Sequence, residues 1–189
     1  MRSHRRGMVI VFATLAGIAA LGSTADAKVQ TKVIEYKDGE TNLRGYFAWD
    51  DSISGKRPGA LVVHEWWGLN DYARKRAEQL AELGYAAFAL DMYGEGKVTE
   101  HPQEAGKWAS MIRENQQSWQ DRARAGLDVL LSQPQTDGER IGAIGYCFGG
   151  STVLQLAYSG ADLDAVVTFH GALPTPSEED AERIKAKLL

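Results

Sequence analysis

Two short stretches of this chain carry residue types that could do covalent chemistry. In Gly145-Tyr146-Cys147-Phe148-Gly149-Gly150 the only cysteine of the sequence stands between glycines, after an apolar run at 141–144 and before a helix-compatible run at 149–158. The form is that of a nucleophile elbow, GxSxG with sulfur replacing the hydroxyl, in which small flanking residues let the backbone take a strained turn and push the side chain outward. A helix starting there aims unpaired amides and the positive end of its dipole at the sulfur, which favours negative charge on it. The chemistry so equipped is attack on an electrophilic carbonyl. A lone cysteine at an apolar strand-to-helix junction is also a common kind of inert core residue. The second stretch, His64-Glu65-Trp66-Trp67-Gly68-Leu69-Asn70, sets a carboxylate beside two aromatics at the end of another apolar run. Glu65 there is a candidate functional carboxylate, or else a capping or ion-pairing one; His64 reads as a core or supporting histidine.

The elements that must position these residues follow from periodicity. Residues 31–37 and 42–48 are rich in β-formers around Asp38-Gly39, a hairpin signal. Residues 60–64 and 85–90 are short continuous apolar runs, the pattern of strands buried on both faces. Between them Asn70 or Asp71 can cap a helix that buries Ala73, Ala77, Leu80 and Ala81 and ends at Gly84. Its Arg74, Lys75, Glu78 and Glu82 read as a solvated face. Helical stripes recur at 102–115 (Ala105, Trp108, Ala109, Ile112) and 119–132 (Ala123, Leu127, Leu130, Leu131), and Pro134 with Asp137-Gly138 precedes the elbow strand. A last strand is expected at 165–169, and Ser177 with Asp180 can cap a helix carrying Ala181, Ile184 and Leu188. Strands alternating with helices after an antiparallel start predict an α/β fold, a mostly parallel sheet with helices on both faces. Catalytic residues then gather at the carboxyl ends of the strands.

Composition narrows the function classes. Arg2, Arg5 and Arg6, the apolar run 8–21 and Ala25-Asp26-Ala27 match a secretory signal at 1–27. The apolar run is shorter than the ~20 residues of a spanning helix, so the expectation is a periplasmic or secreted protein beginning at Lys28 and without stable membrane association. Residues 1–27 hold three of the 21 basic and one of the 25 acidic residues, so the remainder carries a net charge of −6. That excess of acid argues against nucleic acid as a partner. Residues 28–189 suit one domain. A single cysteine allows no internal disulfide, and no spacing of His, Cys or carboxylates supports a metal site. No cofactor is implied.

Taken together, His64-Glu65-x-x-Gly68-x-Asn70, then Asp91-Met92-Tyr93, then Gly145-Tyr146-Cys147-x-Gly149-Gly150 resemble the dienelactone hydrolase family of α/β-hydrolases, and the resemblance runs through 29–189. It implies an α/β-hydrolase fold and cleavage of a small ester or lactone, of carboxymethylenebutenolidase type, by Cys147 as nucleophile. It maps the carboxylate that partners the thiol to Glu65, and the oxyanion-binding amides to Phe148 and Trp66. Tyr93 and His170 are placed in the substrate pocket. Dienelactone-type members carry an arginine after Asp-Met-Tyr that grips a substrate carboxylate, whereas here stand Gly94, Glu95, Gly96 and Lys97.

In α/β-hydrolases the acid and the histidine of the triad follow the nucleophile along the chain, and the resemblance places both after residue 169. There the sequence offers only His170, with no acid nearer than Glu178, Glu179 and Asp180 beyond Pro174 and Pro176. His4, His64 and His101 precede the elbow. The expectation is therefore a C-terminally truncated member, its last two strands and triad partners missing, impaired in turnover, with strand 165–169 left as a bare apolar edge. The alternative is a non-catalytic α/β domain that binds a small carbonyl ligand or senses oxidants through Cys147.

Overall fold

The structure is a computed structural model and describes residues 29–189. The expected signal and its cleavage point lie outside these residues. Strands β1 (Val29–Asp38) and β2 (Thr41–Asp50) form the antiparallel hairpin, closed at Gly39, whose φ of 55° needs a residue without a side chain. Strand β3 (Arg57–Val63), helix α1 (Asp71–Glu82) and strand β4 (Ala86–Leu90) follow, then helices α2 (Pro102–Arg113) and α3 (Gln116–Ser132). Strand β5 (Thr136–Tyr146), helix α4 (Phe148–Tyr158), strand β6 (Ala165–Phe169), helix α5 (Glu178–Arg183) and the two-residue strand β7 (Lys187–Leu188) complete the chain. The sheet order is β1-β2-β4-β3-β5-β6-β7, antiparallel up to β4 and parallel from there on.

Alternation along the central strands divides the core. Leu61 and Val63 of β3, with Phe88 and Leu90 of β4, face Trp119, Ala123, Leu127 and Leu130 of α3 and Val153 and Leu156 of α4. Ala60, Val62, Ala87 and Ala89 face the opposite way, onto Ala73, Ala77 and Ala81 of α1. Alanines on both sides let that helix lie close to the sheet. Its start is capped by the Asn70 side chain, which accepts from the Ala73 amide at 3.3 Å. Every residue of α4 is buried, which makes it the central helix of the α3 side.

Two elements differ from expectation. Strand β5 begins five residues before Ile141, because Arg57 and Pro58 pair with Thr136 and Asp137 before the register jumps to Gly59 opposite Ile141. The Asp137-Gly138 turn is therefore a bulge inside the strand. Strand β6 is not a bare edge: Ala165 and Val166 pair with Lys187 and Leu188, and the Thr168 amide donates to the Leu189 carbonyl at 2.9 Å.

Candidate active site

Cys147 occupies the turn between β5 and α4 with φ 53° and ψ −114°, a region that costs a residue with a side chain about 1–3 kcal/mol. The surroundings enforce that conformation. A Cβ on Gly145 would sit 2.0 Å from the Gly149 carbonyl oxygen, and one on Gly149 would sit 2.3 Å from that of Val63. Strand, turn and first helical turn are thus packed backbone against backbone, which only glycine permits. The Cys147 amide donates to the Phe169 carbonyl at 2.9 Å, and the Cys147 carbonyl accepts from the Gly150 amide at 3.0 Å. The side chain is left half-exposed. Behind it Phe148 is buried and stacked on Trp119, with ring centroids 5.9 Å apart. Thr152 locks this pair by accepting from the Trp119 indole at 2.8 Å and donating to the Phe148 carbonyl at 3.0 Å.

Beyond β3 the chain passes alongside the elbow. His64 is fully buried; its Nε2 accepts from the Met92 amide at 3.2 Å and its Nδ1 donates to the Glu65 carbonyl. Burial holds its pKa below the ordinary histidine value. His64 is therefore a neutral strut between the ends of β3 and β4, the supporting role expected of it. Neither the Trp66 amide nor the Phe148 amide meets an acceptor among the described residues. Phe148 opens α4 directly after Cys147, and Trp66 lies on the loop after β3.

The Asp91-Met92-Tyr93 turn is built around a buried carboxylate. Asp91 Oδ1 accepts from the Tyr93 and Gly94 amides at 2.9 Å each, and Oδ2 from Gly96 at 2.9 Å and Arg44 at 3.1 Å. This cradle fixes Tyr93, expected as a pocket residue. Its ring is buried, and its hydroxyl donates to the Trp66 carbonyl at 3.0 Å, so it braces the Trp66 loop. Burial raises the Tyr93 pKa against the opposing charge of Arg113. The guanidinium of Arg113 lies over the Phe148 ring, 5.4 Å from its centre, a cation at the site that sequence reading did not single out. Glu95 and Lys97 part company: Lys97 lines a 270 Å³ hollow with Tyr93, Lys107 and Trp108, whereas Glu95 lines another with Glu35 and Arg44.

His170 corrects the sequence reading most. No acid stood near it along the chain, yet its Nε2 lies 3.0 Å from Oε1 of Glu65, 105 residues upstream. The backbone of His170 has a positive φ of 43°. The residues after it are pinned to the elbow helix: Ser151 Oγ donates to the Ala172 carbonyl at 2.8 Å, and a Cβ on Gly150 would come within 3.0 Å of Gly171 Cα. Glu65 thus has a histidine partner, and no hydrogen bond joins it to the Cys147 thiol among the described contacts. Among the described residues no group of three or more His, Cys, Asp and Glu side chains is placed to hold a metal ion.

Comparison with known proteins agrees with this architecture. The model of the dienelactone hydrolase family matches residues 43–189. Protein usf of Aquifex pyrophilus is 34% identical over 162 residues, which cover 83% of this chain and 68% of that protein. An Aquifex aeolicus protein provisionally named a carboxymethylenebutenolidase is 30% identical over the same shares. The crystal structure of a dienelactone hydrolase-like promiscuous phosphotriesterase from metagenomic libraries superposes with a TM-score of 0.82 at 43% identity, covering 85% of this chain and 66% of that one. The chain therefore spans about two thirds of the length of these relatives. With its elbow, its mostly parallel sheet and a family match over most of its length, this chain belongs to the dienelactone hydrolase family.

Proposed function

We propose that this chain acts as a hydrolase on small esters or lactones through Cys147. The observation that carries the reading is the strained backbone of Cys147, φ 53° and ψ −114°, at the head of a buried helix between glycines that cannot be replaced. Strain of this kind persists only where the surroundings over-determine it, and it projects the sulfur at the carboxyl edge of the sheet. In the proposed reaction Sγ attacks the carbonyl carbon and the carbonyl electron pair moves onto oxygen. The amides of Phe148 and Trp66 stabilise that oxyanion. Collapse expels the alcohol or enol and leaves a thioester on Cys147, which water cleaves to the acid and the free thiol. Glu65 belongs to the proton-handling side of the site, and Tyr93 to its wall. The likeness to a promiscuous phosphotriesterase adds aryl phosphotriesters to the substrates worth offering, since the same sulfur could attack phosphorus. The charged and apolar N-terminal segment supports export, so the substrate is one met in the periplasm or outside the cell.

The test is aryl release from 4-nitrophenyl acetate under single-turnover and steady-state conditions, with Cys147→Ala as the blank. A Cys147-dependent burst is expected. A signal equal in parent and Cys147→Ala would rule the reading out and favour a ligand-binding or thiol-sensing domain.

A further inference from the structure

We propose that His64 and Tyr93 are positioning residues that aim the Trp66 amide as an oxyanion donor. The assignment rests on the reading of Cys147 as nucleophile with the Phe148 and Trp66 amides as its oxyanion site, and goes beyond it by saying what orients the second amide. Phe148 opens α4, so its peptide is set by the helix. Trp66 has no such support, because it lies in the turn after β3. Its surroundings supply the orientation through carbonyls. The Glu65 carbonyl accepts from Nδ1 of His64 and from the Gly68 amide at 3.4 Å. The Trp66 carbonyl accepts from the Tyr93 hydroxyl at 3.0 Å, and the Trp67 carbonyl from the Thr99 amide at 3.0 Å. Three consecutive carbonyls are thus held, while the Trp66 N–H meets no acceptor among the described residues.

The chain of constraint starts at one backbone donor. Nε2 of His64 lies 3.2 Å from the Met92 amide, and an amide only donates, so Nε2 holds a lone pair and the hydrogen sits on Nδ1. The buried ring, with Tyr93 and Phe148 centred 5.0 and 6.0 Å from it, cannot turn over without losing both partners. Nδ1–H therefore donates to the Glu65 carbonyl. That carbonyl and the Trp66 N–H belong to one planar trans peptide, in which the two groups point opposite ways. Holding the oxygen toward the buried ring turns the N–H away from the core. A donor on the oxygen also polarises the peptide and makes its N–H a stronger donor. Tyr93 holds the next peptide, so the units on both sides of Trp66 Cα are fixed.

The same residues tie this peptide to the elbow. A Cβ on Gly149 would come within 2.6 Å of the His64 carbonyl oxygen, so the segment leading to Trp66 lies backbone to backbone on the first turn of α4. The Phe148 ring packs on both the His64 and the Tyr93 rings, with centroids 6.0 and 5.5 Å away. The side chains that hold the Trp66 amide therefore touch the residue that carries the other amide. An oxyanion site works because its donors are fixed before charge develops on the substrate oxygen. A buried neutral imidazole and a buried phenol, each committed to one backbone carbonyl of the 65–66 pair, meet that requirement. Neither side chain exchanges a proton with substrate in this role.

The experiment compares two reactions of the Cys147 thiol in the purified chain. Acylation by 4-nitrophenyl acetate passes through an oxyanion, whereas alkylation by iodoacetamide displaces iodide and forms none. Tyr93→Phe keeps the ring and loses the hydroxyl. His64→Gln keeps an acceptor for the Met92 amide and loses the Nδ1 donor; His64→Asn keeps a donor near the Nδ1 position and loses that acceptor. Tyr93→Phe and His64→Gln are expected to slow the maximal acylation rate roughly 10- to 100-fold, less than the 10²–10³-fold loss on deleting an oxyanion donor outright. The half-saturating ester concentration and the alkylation rate should stay at parent values. His64→Asn should recover most of the acylation rate, although it leaves the Met92 amide unpaired. Acylation and alkylation falling together, acylation that follows urea stability across the three variants, or parent acylation in both Tyr93→Phe and His64→Gln would overturn the positioning role while leaving Cys147 as the nucleophile. If the His64 variants fail to fold, the ratio of the two rates in Tyr93→Phe decides alone. Acylation of equal size in Cys147→Ala would instead remove the nucleophile reading, and the proposal with it.

Discussion

At the residue scale the site is a set of side chains whose freedom has been removed by backbone contacts. His64 is the clearest case, since both ring nitrogens are spent on backbone partners and none of the ring is exposed. The consequence is a defined dependence of stability on pH. The folded-state pKa is depressed by burial, so as pH falls below the ordinary histidine value of about 6.5 the unfolded chain gains a proton that the folded chain does not. Stability is therefore complete above that value and declines on acidification through it. Urea midpoints measured between neutral and mildly acidic pH should fall, and the part of that fall that belongs to His64 should vanish in His64→Asn; an unchanged slope in the variant contradicts the assignment. Cys147 could be singled out from its neighbours because an elbow is a local motif, and Glu65 because it follows the apolar run 60–64 within a stretch that resembles the family. The partner of His170 could not. The contact of His170 with Glu65 is made through the sheet, from the loop after a strand two places away, and not along the chain.

At the element scale the turn after β4 is organised by one carboxylate rather than by its own periodicity. Asp91 accepts four amides, from Tyr93, Gly94, Gly96 and Arg44, and so ties the β2 strand to the loop that carries Tyr93. Asp91→Asn replaces one acceptor oxygen by an amide donor facing two N–H groups. Each group left unsatisfied when buried costs about 1–3 kcal/mol, so a loss of a few kcal/mol is expected in chemical denaturation. The Tyr93 to Trp66 brace should loosen with it and lower the rate of ester cleavage. A variant with parent stability and parent rate would show that the cradle is dispensable. Strands β3 and β4 and the three long helices α1, α2 and α3 were readable because each is a single run of one period with its own stop signals, including the Asn70 cap and the residues around Gly84. The extension of β5 was not, since Thr136 and Asp137 become strand only by pairing with Arg57 and Pro58 across a shift of register.

At the scale of the whole molecule, alternation of strands and helices was enough to give the α/β architecture, but the order of strands is a non-local property. That order is what brings three loops together around Cys147. It also sets an apolar patch where Phe169 and Leu173 are exposed. Exposed apolar side chains of this kind favour contact with a second copy. Purified protein is expected to associate as concentration rises, seen by light scattering, and Leu173→Glu should suppress it; a parent that stays monodisperse would contradict that reading of the patch. The central claim concerns the sulfur. Brief exposure of the protein to one equivalent of 4-nitrophenyl acetate, quenching in acid and mass analysis of the peptides tests it most directly. The account predicts one acetyl group, on Cys147, lost on standing in neutral buffer and absent from Cys147→Ala. Acetyl on lysines alone, with the Cys147 peptide unmodified while the protein remains folded, would contradict it.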